Sequence, residues 1–299
     1  MSDKKVIFTG ASGMIGKEAV KPLLEAGFEI HGLTIDEKNA DNGVNWIKCN
    51  LFDSQSVKDA FSKIKPQYLL NFAWATTEDY LSSNINFDFF KAGLDLLKHF
   101  KENGGQRAVF AGTCFEYEFK DAPLKENAPV NPKTVYAKCK NFLRQISQLY
   151  CQQNNISFGW GRIFYAYGIG EHIKRLTAHT INNLKNNKEV IINNGSLLRD
   201  YIFSKDISGA FVKFLDGKTE GIVNICKGQA ISLADFAMVF AKKLNKTQYL
   251  KILNENTNQP PIILGDNVRL TKEVGYKIQY DYERSADEIL EADGKTNGF

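Results

Sequence analysis

Through the first half of the chain, short continuous apolar runs alternate with longer stretches in which apolar residues recur every three or four positions. The continuous runs predict strands buried on both faces, and the 3.6-residue rhythm predicts amphipathic helices. Runs of the first kind fall at 6–9, 29–33, 44–49, 68–73, 107–112 and 156–164. Helical stretches fall at 17–26, 56–64, 86–103 and 134–153. Gly27 closes the first helix, and Gly104-Gly105 closes the third. Alternation of this kind predicts an α/β fold: a doubly wound parallel sheet with helices on both faces, reached by right-handed crossovers.

After about Tyr165 the rhythm changes. A helix is predicted over 173–186, short strands around Val190 and Tyr201, a helix over 206–215, and a strand over 222–225 that returns to the main sheet. The remainder is mixed helix and strand, with Gln259-Pro260-Pro261 as its strong breaker. Two interleaved units follow from this. Residues 1–165 and about 205–226 form the larger one, and about 166–204 with 227–299 form a smaller α/β unit stitched into it without a linker.

The first strand runs straight into Gly10-Ala11-Ser12-Gly13-Met14-Ile15-Gly16. A strand, a glycine-rich turn and a helix start in one stretch make a dinucleotide-binding (Rossmann) turn. Gly10 permits the tight turn, Gly13 lets backbone approach a pyrophosphate, and Gly16 permits close helix packing. The helix start offers free N–H groups and a partial positive charge to phosphate. The spacing is GxxGxxG, one residue longer than GxGxxG between the first two glycines.

Composition narrows the class without changing this picture. The chain has 299 residues, 43% hydrophobic and 24% charged, with a formal net charge of +4. That charge suits anionic small molecules and does not argue for nucleic acid. No apolar stretch is long enough to span a membrane, and the N-terminus reaches the first strand without a signal-peptide core. The five cysteines are widely spaced, with no CxxC and no metal-ligand pattern. Reduced thiols in a cytoplasmic protein are expected.

The second informative stretch is Val135-Tyr136-Ala137-Lys138-Cys139-Lys140. Tyr136 and Lys140 project from one helix face. An ammonium beside a phenol favours phenolate and makes the tyrosine a usable proton donor and acceptor. Tyr201 and Lys205 share this spacing, so the motif alone does not select a site. The first pair follows the fifth strand, whose end carries a hydroxyl, Thr113.

Thr9-Gly10…Gly13…Gly16, Thr113 and Tyr136…Lys140, in this order, resemble the extended short-chain dehydrogenase/reductases of the NAD-dependent epimerase/dehydratase family, which act on nucleotide sugars. Arg162-Ile163-Phe164…Tyr167-Gly168, Arg199-Asp200-Tyr201-Ile202…Asp206 and Gly221-Ile222-Val223-Asn224-Ile225 resemble further family segments, so the likeness covers nearly the whole chain. The resemblance implies that Thr113 orients the sugar, Tyr136 is the acid/base, and Lys140 holds the ribose and tunes Tyr136. It implies that Arg199 contacts the nucleotide diphosphate, and it accounts for the Tyr201–Lys205 decoy. Cofactor contacts are implied for Thr9, Gly10, Gly13, Met14, Ile15, Gly16, Asp36, Asn50, Leu51, Phe72, Ala73, Tyr136, Lys140 and Phe164. Substrate contacts are implied for Trp74, Thr113, Cys114, Phe115, Arg175 and Arg199; Trp74 either walls the sugar pocket or packs in the core. A homodimer through the helices at 86–103 and 134–153 is also implied.

Asn71-Phe72-Ala73-Trp74, Ala111–Tyr117 (AGTCFEY), and Trp160–Phe164 with Glu171 and Arg175-Leu176 look like the branch that includes CDP-abequose synthase and dTDP-fucose-forming 4-ketoreductases. Those enzymes reduce a 4-keto-6-deoxy sugar with a nicotinamide cofactor. Sugar 4,6-dehydratases carry an Asp-Glu pair after the catalytic threonine, where this chain has Cys114 and Phe115; Glu116, on an extended segment, would face away. A 4-epimerase with bound NAD remains the alternative, ahead of a dehydratase or a non-catalytic binding protein. The cofactor is NAD or NADP. Thr34 is neutral at the NAD-type position, Asp36 could reach the ribose, and no arginine but only Lys38 stands nearby, which leans toward NAD.

Overall fold

The computed structural model describes residues 4–36, 43–76, 79–255 and 257–296. Lys38 and the residues before Lys4 lie outside the described residues. In chain order the first elements are β1 (Lys5–Thr9), α1 (Met14–Glu25), β2 (Glu29–Thr34), β3 (Val44–Lys48), α2 (Ser54–Ile64), β4 (Tyr68–Asn71), α3 (Ile85–Glu102), β5 (Arg107–Thr113), α4 (Val135–Gln153) and β6 (Ser157–Ile163). They are followed by β7 (Tyr165–Tyr167), α5 (Leu176–Lys185), β8 (Val190–Ile192), β9 (Leu198–Arg199), β10 (Tyr201–Phe203), α6 (Ser204–Asp216) and β11 (Gly221–Ile225). The last elements are β12 (Ile231–Ser232), α7 (Leu233–Lys243), β13 (Leu250–Ile252), β14 (Ile262–Ile263) and α8 (Tyr282–Thr296).

Seven strands form one parallel sheet in the order β11-β6-β5-β4-β1-β2-β3. The doubly wound parallel fold is therefore present, with β11 at one edge. Strand periodicity sorts the core into two layers. Val6 and Phe8 of β1 pack with α1 and α6 residues such as Leu23, Phe211 and Phe214. Ile7 between them faces the opposite layer with Phe61, Leu97, Phe100 and Leu143 from α2, α3 and α4. Beyond β6 the chain builds three small sheets, β7·β10, β8·β13 and β12·β9·β14. Aromatic packing holds part of this region, with Tyr201 stacked on Phe236 at 4.0 Å. Lys205 forms an ion pair with Glu288 and so links α6 to α8, leaving the Tyr201–Lys205 pair in structural contacts.

Element ends differ from the periodic pattern where a side chain supplies a cap or a turn intervenes. Asp53 accepts from the Gln55 N–H at 3.0 Å, so α2 begins at Ser54, earlier than periodicity indicates. Thr134 accepts from the Ala137 N–H at 3.1 Å and starts α4. A turn in which the Arg175 N–H donates to the His172 carbonyl delays α5 to Leu176. β4 stops at Asn71 because Phe72 and Ala73 turn onto Thr9: the Phe72 N–H donates to the Thr9 carbonyl and the Ala73 N–H to its hydroxyl.

Candidate active site

Thr9, Asn71, Thr113 and Ile163 all end their strands at the same sheet edge, since β1 pairs Thr9 with Asn71 and β5 pairs Thr113 with Ile163. The order of the chain through the sheet reverses between β1 and β4, and ligands of such sheets bind outside the strand ends at that crevice. There the Thr9 hydroxyl donates to Asn71 Oδ1 at 2.6 Å, fixing the two strand ends to each other.

The turn after β1 is shaped for close approach. Gly10 has φ +74, and a Cβ there would lie 2.8 Å from the Ala73 nitrogen. A Cβ at Gly16 would lie 2.0 Å from the Gly10 carbonyl oxygen, so the close helix packing that this glycine permits is that of α1 onto its own turn. α1 starts at Met14 instead of residue 17, with Gly13 as its cap residue, no side chain capping it and no acidic residue in its first turn. Its N–H groups and dipole are thus arranged to take an anion, and the residues fit a dinucleotide pyrophosphate. Asp36 is exposed just past β2, its N–H donating to the Thr34 hydroxyl. A cavity between the ends of β2 and β3 is lined by Ile35, Asn50 and Phe52, with Leu51 half-buried between the last two.

A cavity of about 360 Å³ lies over the ends of β5 and β6. Met14 and Ile15 from the turn, Thr113, Cys114, Phe115 and Tyr136, Phe164 after β6, and Arg175 at the start of α5 all line it. The structure thus brings the glycine turn, Thr113 and Tyr136 to one chamber, although the turn lies about a hundred residues or more from the other two in sequence. Tyr80, Tyr165, Glu171 and His172 are also on its walls.

Tyr136 is buried, its ring meeting Tyr80 edge-on at 4.9 Å and Trp74 at 6.0 Å. Burial pushes the phenol well above its ordinary value and the nearby Tyr80 adds to this, while a Thr113 side-chain hydrogen bond pulls the other way. The expectation that Lys140 lowers the phenol is corrected here. The Lys140 ammonium donates to the Ala111 carbonyl at 2.7 Å and stands 3.9 Å over the Trp74 ring. Burial pulls Lys140 itself down to about 7, with Glu116 opposing.

Trp74 is not on the cavity wall. It is half-buried and packs between Lys140, Phe89 and Tyr136, the core-packing alternative of the two. Arg199 is buried behind Tyr165, with NH1 donating to the Leu198 and Pro260 carbonyls and NH2 to Gln259 Oε1, so it does not line the cavity. Arg175 does, donating to the Thr76 carbonyl and lying 5.0 Å over the Tyr80 ring. Cys114 is buried and its thiol is pushed up by burial, while Phe115 contacts Phe119 and Tyr165.

Glu116 does face away from the cavity, but not for the reason that an extended segment supplies. Residues Cys114–Glu116 form a 3-10 turn capped by the Thr113 side chain. The Glu116 carboxylate turns inward and accepts from the Thr113 N–H, the Trp160 Nε1–H and Arg162 Nε, each at 2.9 Å. A buried ion pair therefore sits directly beneath the threonine.

Several cavity residues, Tyr80 and Glu171 among them, were given no site role by sequence reasoning. Tyr80 left no signal, since its place depends on the 79–84 loop docking on α4 through the Tyr136 N–H and Leu81 carbonyl. Glu171 carried a signal: it follows Tyr167-Gly168 at the end of β7, where a loop leaves a sheet edge. Burial pushes its carboxyl up to about 7, against Thr177 and Arg175, which lower it.

Comparison with known proteins agrees with this geometry. Residues 6–226 match the model of the NAD dependent epimerase/dehydratase family. The chain is 26% identical over 240 residues to dTDP-6-deoxy-L-talose 4-dehydrogenase (NAD(+)) of Aggregatibacter actinomycetemcomitans, covering 76% of this chain and 86% of that protein. It is 23% identical over 309 residues to CDP-abequose synthase of Salmonella typhimurium, covering 95% and 97%. The fold superposes on the crystal structure of UDP-glucose 4-epimerase of Thermus thermophilus in complex with NAD, with a TM-score of 0.84 at 20% identity over 99% of this chain and 100% of the other.

Proposed function

The chain belongs to the NAD dependent epimerase/dehydratase family, and within it we propose that the protein is an NAD(H)-dependent 4-ketoreductase of a nucleotide-linked 4-keto-6-deoxyhexose. One observation carries this reading. Thr113 and Tyr136 share the cavity floor beside the glycine turn, while the two positions after Thr113 hold a buried thiol and a phenyl ring. That set can donate one proton to a ketone oxygen, and its adjoining positions offer no acid/base pair for eliminating water. The relative named for 4-dehydrogenation of a dTDP-6-deoxyhexose supports it, because ketone reduction is that reaction in reverse.

The N–H groups at the start of α1 would take the cofactor's pyrophosphate, Asp36, Asn50 and Leu51 its adenosine end, and Phe72, Ala73, Phe164, Tyr136 and Lys140 its nicotinamide end. When bound, NADH supplies the hydride that adds to C4. Thr113 orients the keto oxygen, and Tyr136 Oη delivers a proton to that oxygen as it gains charge, leaving a phenolate. In its protonated form Lys140, on the same helix face, would offset part of the burial that opposes that phenolate. Arg175, at the cavity mouth, is placed to pair with the phosphates of the nucleotide sugar, a charge-assisted contact. Arg199 reaches them only if it leaves its carbonyl partners.

The test is absorbance at 340 nm with NADH or NADPH and dTDP-, CDP- and GDP-4-keto-6-deoxyhexoses. Stoichiometric loss with NADH and one nucleotide is expected. Unchanged absorbance with an isomerised sugar nucleotide would replace this reading with a 4-epimerase, and no change in either would remove both.

We also propose a homodimer through α3 and α4. Phe142, Ile146 and Leu149 are 53%, 46% and 57% exposed at i, i+4 and i+7 on α4, and Phe87 is 51% exposed on the adjoining α3. Such a stripe fits a copy of itself. Light scattering should give twice the chain mass for the wild type. Ile146→Glu with Leu149→Glu should weaken pairing by about 100-fold or more and yield monomer. A wild-type monomer at micromolar concentration would exclude the dimer.

A further inference from the structure

The geometry points to Trp74 as a positioning residue: its indole, locked by Asn86, forms the seat that holds the Lys140 ammonium in place on the active-site face of α4. The reaction proposed above does not use this contact, although which reaction Lys140 serves rests on that reading. Lys140 is almost completely buried, yet among the described residues no carboxylate touches it. Its ammonium is held by one carbonyl, Ala111 O at 2.7 Å, and by the face of Trp74 at 3.9 Å. In a desolvated site the ring quadrupole favours the charged form of such a group.

The indole cannot swing away, because each of its sides is fixed. Nε1–H donates to Asn86 Oδ1 at 2.8 Å. Asn86 is fully buried and its Nδ2 donates to the Tyr80 and Ser83 carbonyls, each at 2.7 Å, so its own orientation is determined. Phe89 stacks on the ring at 5.4 Å, and Tyr136 meets it at 6.0 Å. One residue therefore contacts both members of the Tyr136–Lys140 pair. The loop after β4 and helix α3 present Trp74, Phe89 and Asn86 here. Among the described residues, the charged group whose field reaches Lys140 comes from the turn after β5, Glu116, and it favours the cation. Burial opposes the cation and brings Lys140 to about 7, close enough to working pH for the ring's contribution to decide its charge.

The direction follows. The cation is the form the ring stabilises, so replacing Trp74 by an apolar side chain without a π-face lowers the pH at which Lys140 loses its proton, by about one unit. Trp74→Phe retains a ring face and restores most of the shift. The readout is the titration of the Lys140 Cε resonance in NADH-bound protein labelled with [13Cε]lysine, assigned by its loss in Lys140→Met. A midpoint about one pH unit lower in Trp74→Leu, recovered in Trp74→Phe, is expected. An unchanged midpoint in Trp74→Leu that still binds NADH would overturn the assignment. Should Trp74→Leu not fold, an unshifted midpoint in Trp74→His, whose ring is a weaker π-face, would overturn it equally. In parallel, the alkaline limb of kcat/KM for ketone reduction should move down by the same amount while KM changes little. If no sugar nucleotide is turned over by the wild type, the functional reading fails, and the Lys140 titration still decides the role of Trp74.

Discussion

Tyr136→Phe is expected to lower kcat by roughly 10³-fold while leaving NADH affinity within about twofold, the range that a positioned general acid contributes. The substitution removes one oxygen and keeps the ring. The edge contacts with Tyr80 and Trp74 are made by carbon atoms and survive, so the fold around α4 has no reason to change. What is lost is the group that shares a hydrogen bond with Thr113 at the cavity floor. Burial holds that phenol strongly in its protonated form, which suits a donor to a ketone oxygen and makes the reverse oxidation dependent on a cation nearby. Stopped-flow absorbance separates hydride transfer from binding, and quenching of tryptophan emission reports NADH. A variant that turns over near the wild-type rate would remove Tyr136 from the chemistry.

Glu116→Leu should cost about 3–5 kcal/mol of stability, because it leaves the guanidinium of Arg162 buried without its carboxylate. Glu116 has no exposure and Arg162 almost none, and the pair lies 2.9 Å apart, with Arg144 at 3.8 Å from the same oxygen. Stranding a buried charge is expensive, whereas replacing both partners by apolar groups is often close to neutral. The double variant Glu116→Leu/Arg162→Met should therefore recover most of the loss. The expected fall in apparent Tm for the single variant is about 10 °C. Activity should fall further than stability explains, even where the protein remains folded, because Glu116 Oε1 also holds the Thr113 N–H. Differential scanning fluorimetry with parallel kcat measurements separates the two effects. A single variant melting within about 2 °C of the wild type would show that Arg162 finds other partners.

These two residues mark how much of the site was legible in the sequence. Tyr136 could be found because its signal is local: a fourfold spacing to Lys140 on a helix following a strand with Thr113 at its end. Glu116 was visible only as a carboxylate that ought to face away. That expectation gave the correct side for the wrong reason, since three residues folded into a 3-10 turn capped by Thr113, a backbone choice that periodicity does not report.

The seven strands, their order of appearance and the glycine turn were determined by the sequence alone, because burial on both faces forces continuous apolar runs and a tight phosphate turn forces glycine. These are constraints between near neighbours in the chain, so they leave a written pattern. Which long-range partner each polar group takes was decided by the tertiary structure. Trp74 has Lys140 beneath its ring from a distant part of the chain, a contact that exists only because the loop after β4 and the start of α4 meet at the same sheet edge. Arg199 was expected on the ligand, and its donors instead meet carbonyls brought in by the 259–260 segment. Lys140 was expected to act on its helical neighbour Tyr136, and the dry environment created by packing set the charge balance of both. Desolvation depends on everything that surrounds a group at once, and no spacing along a chain encodes it.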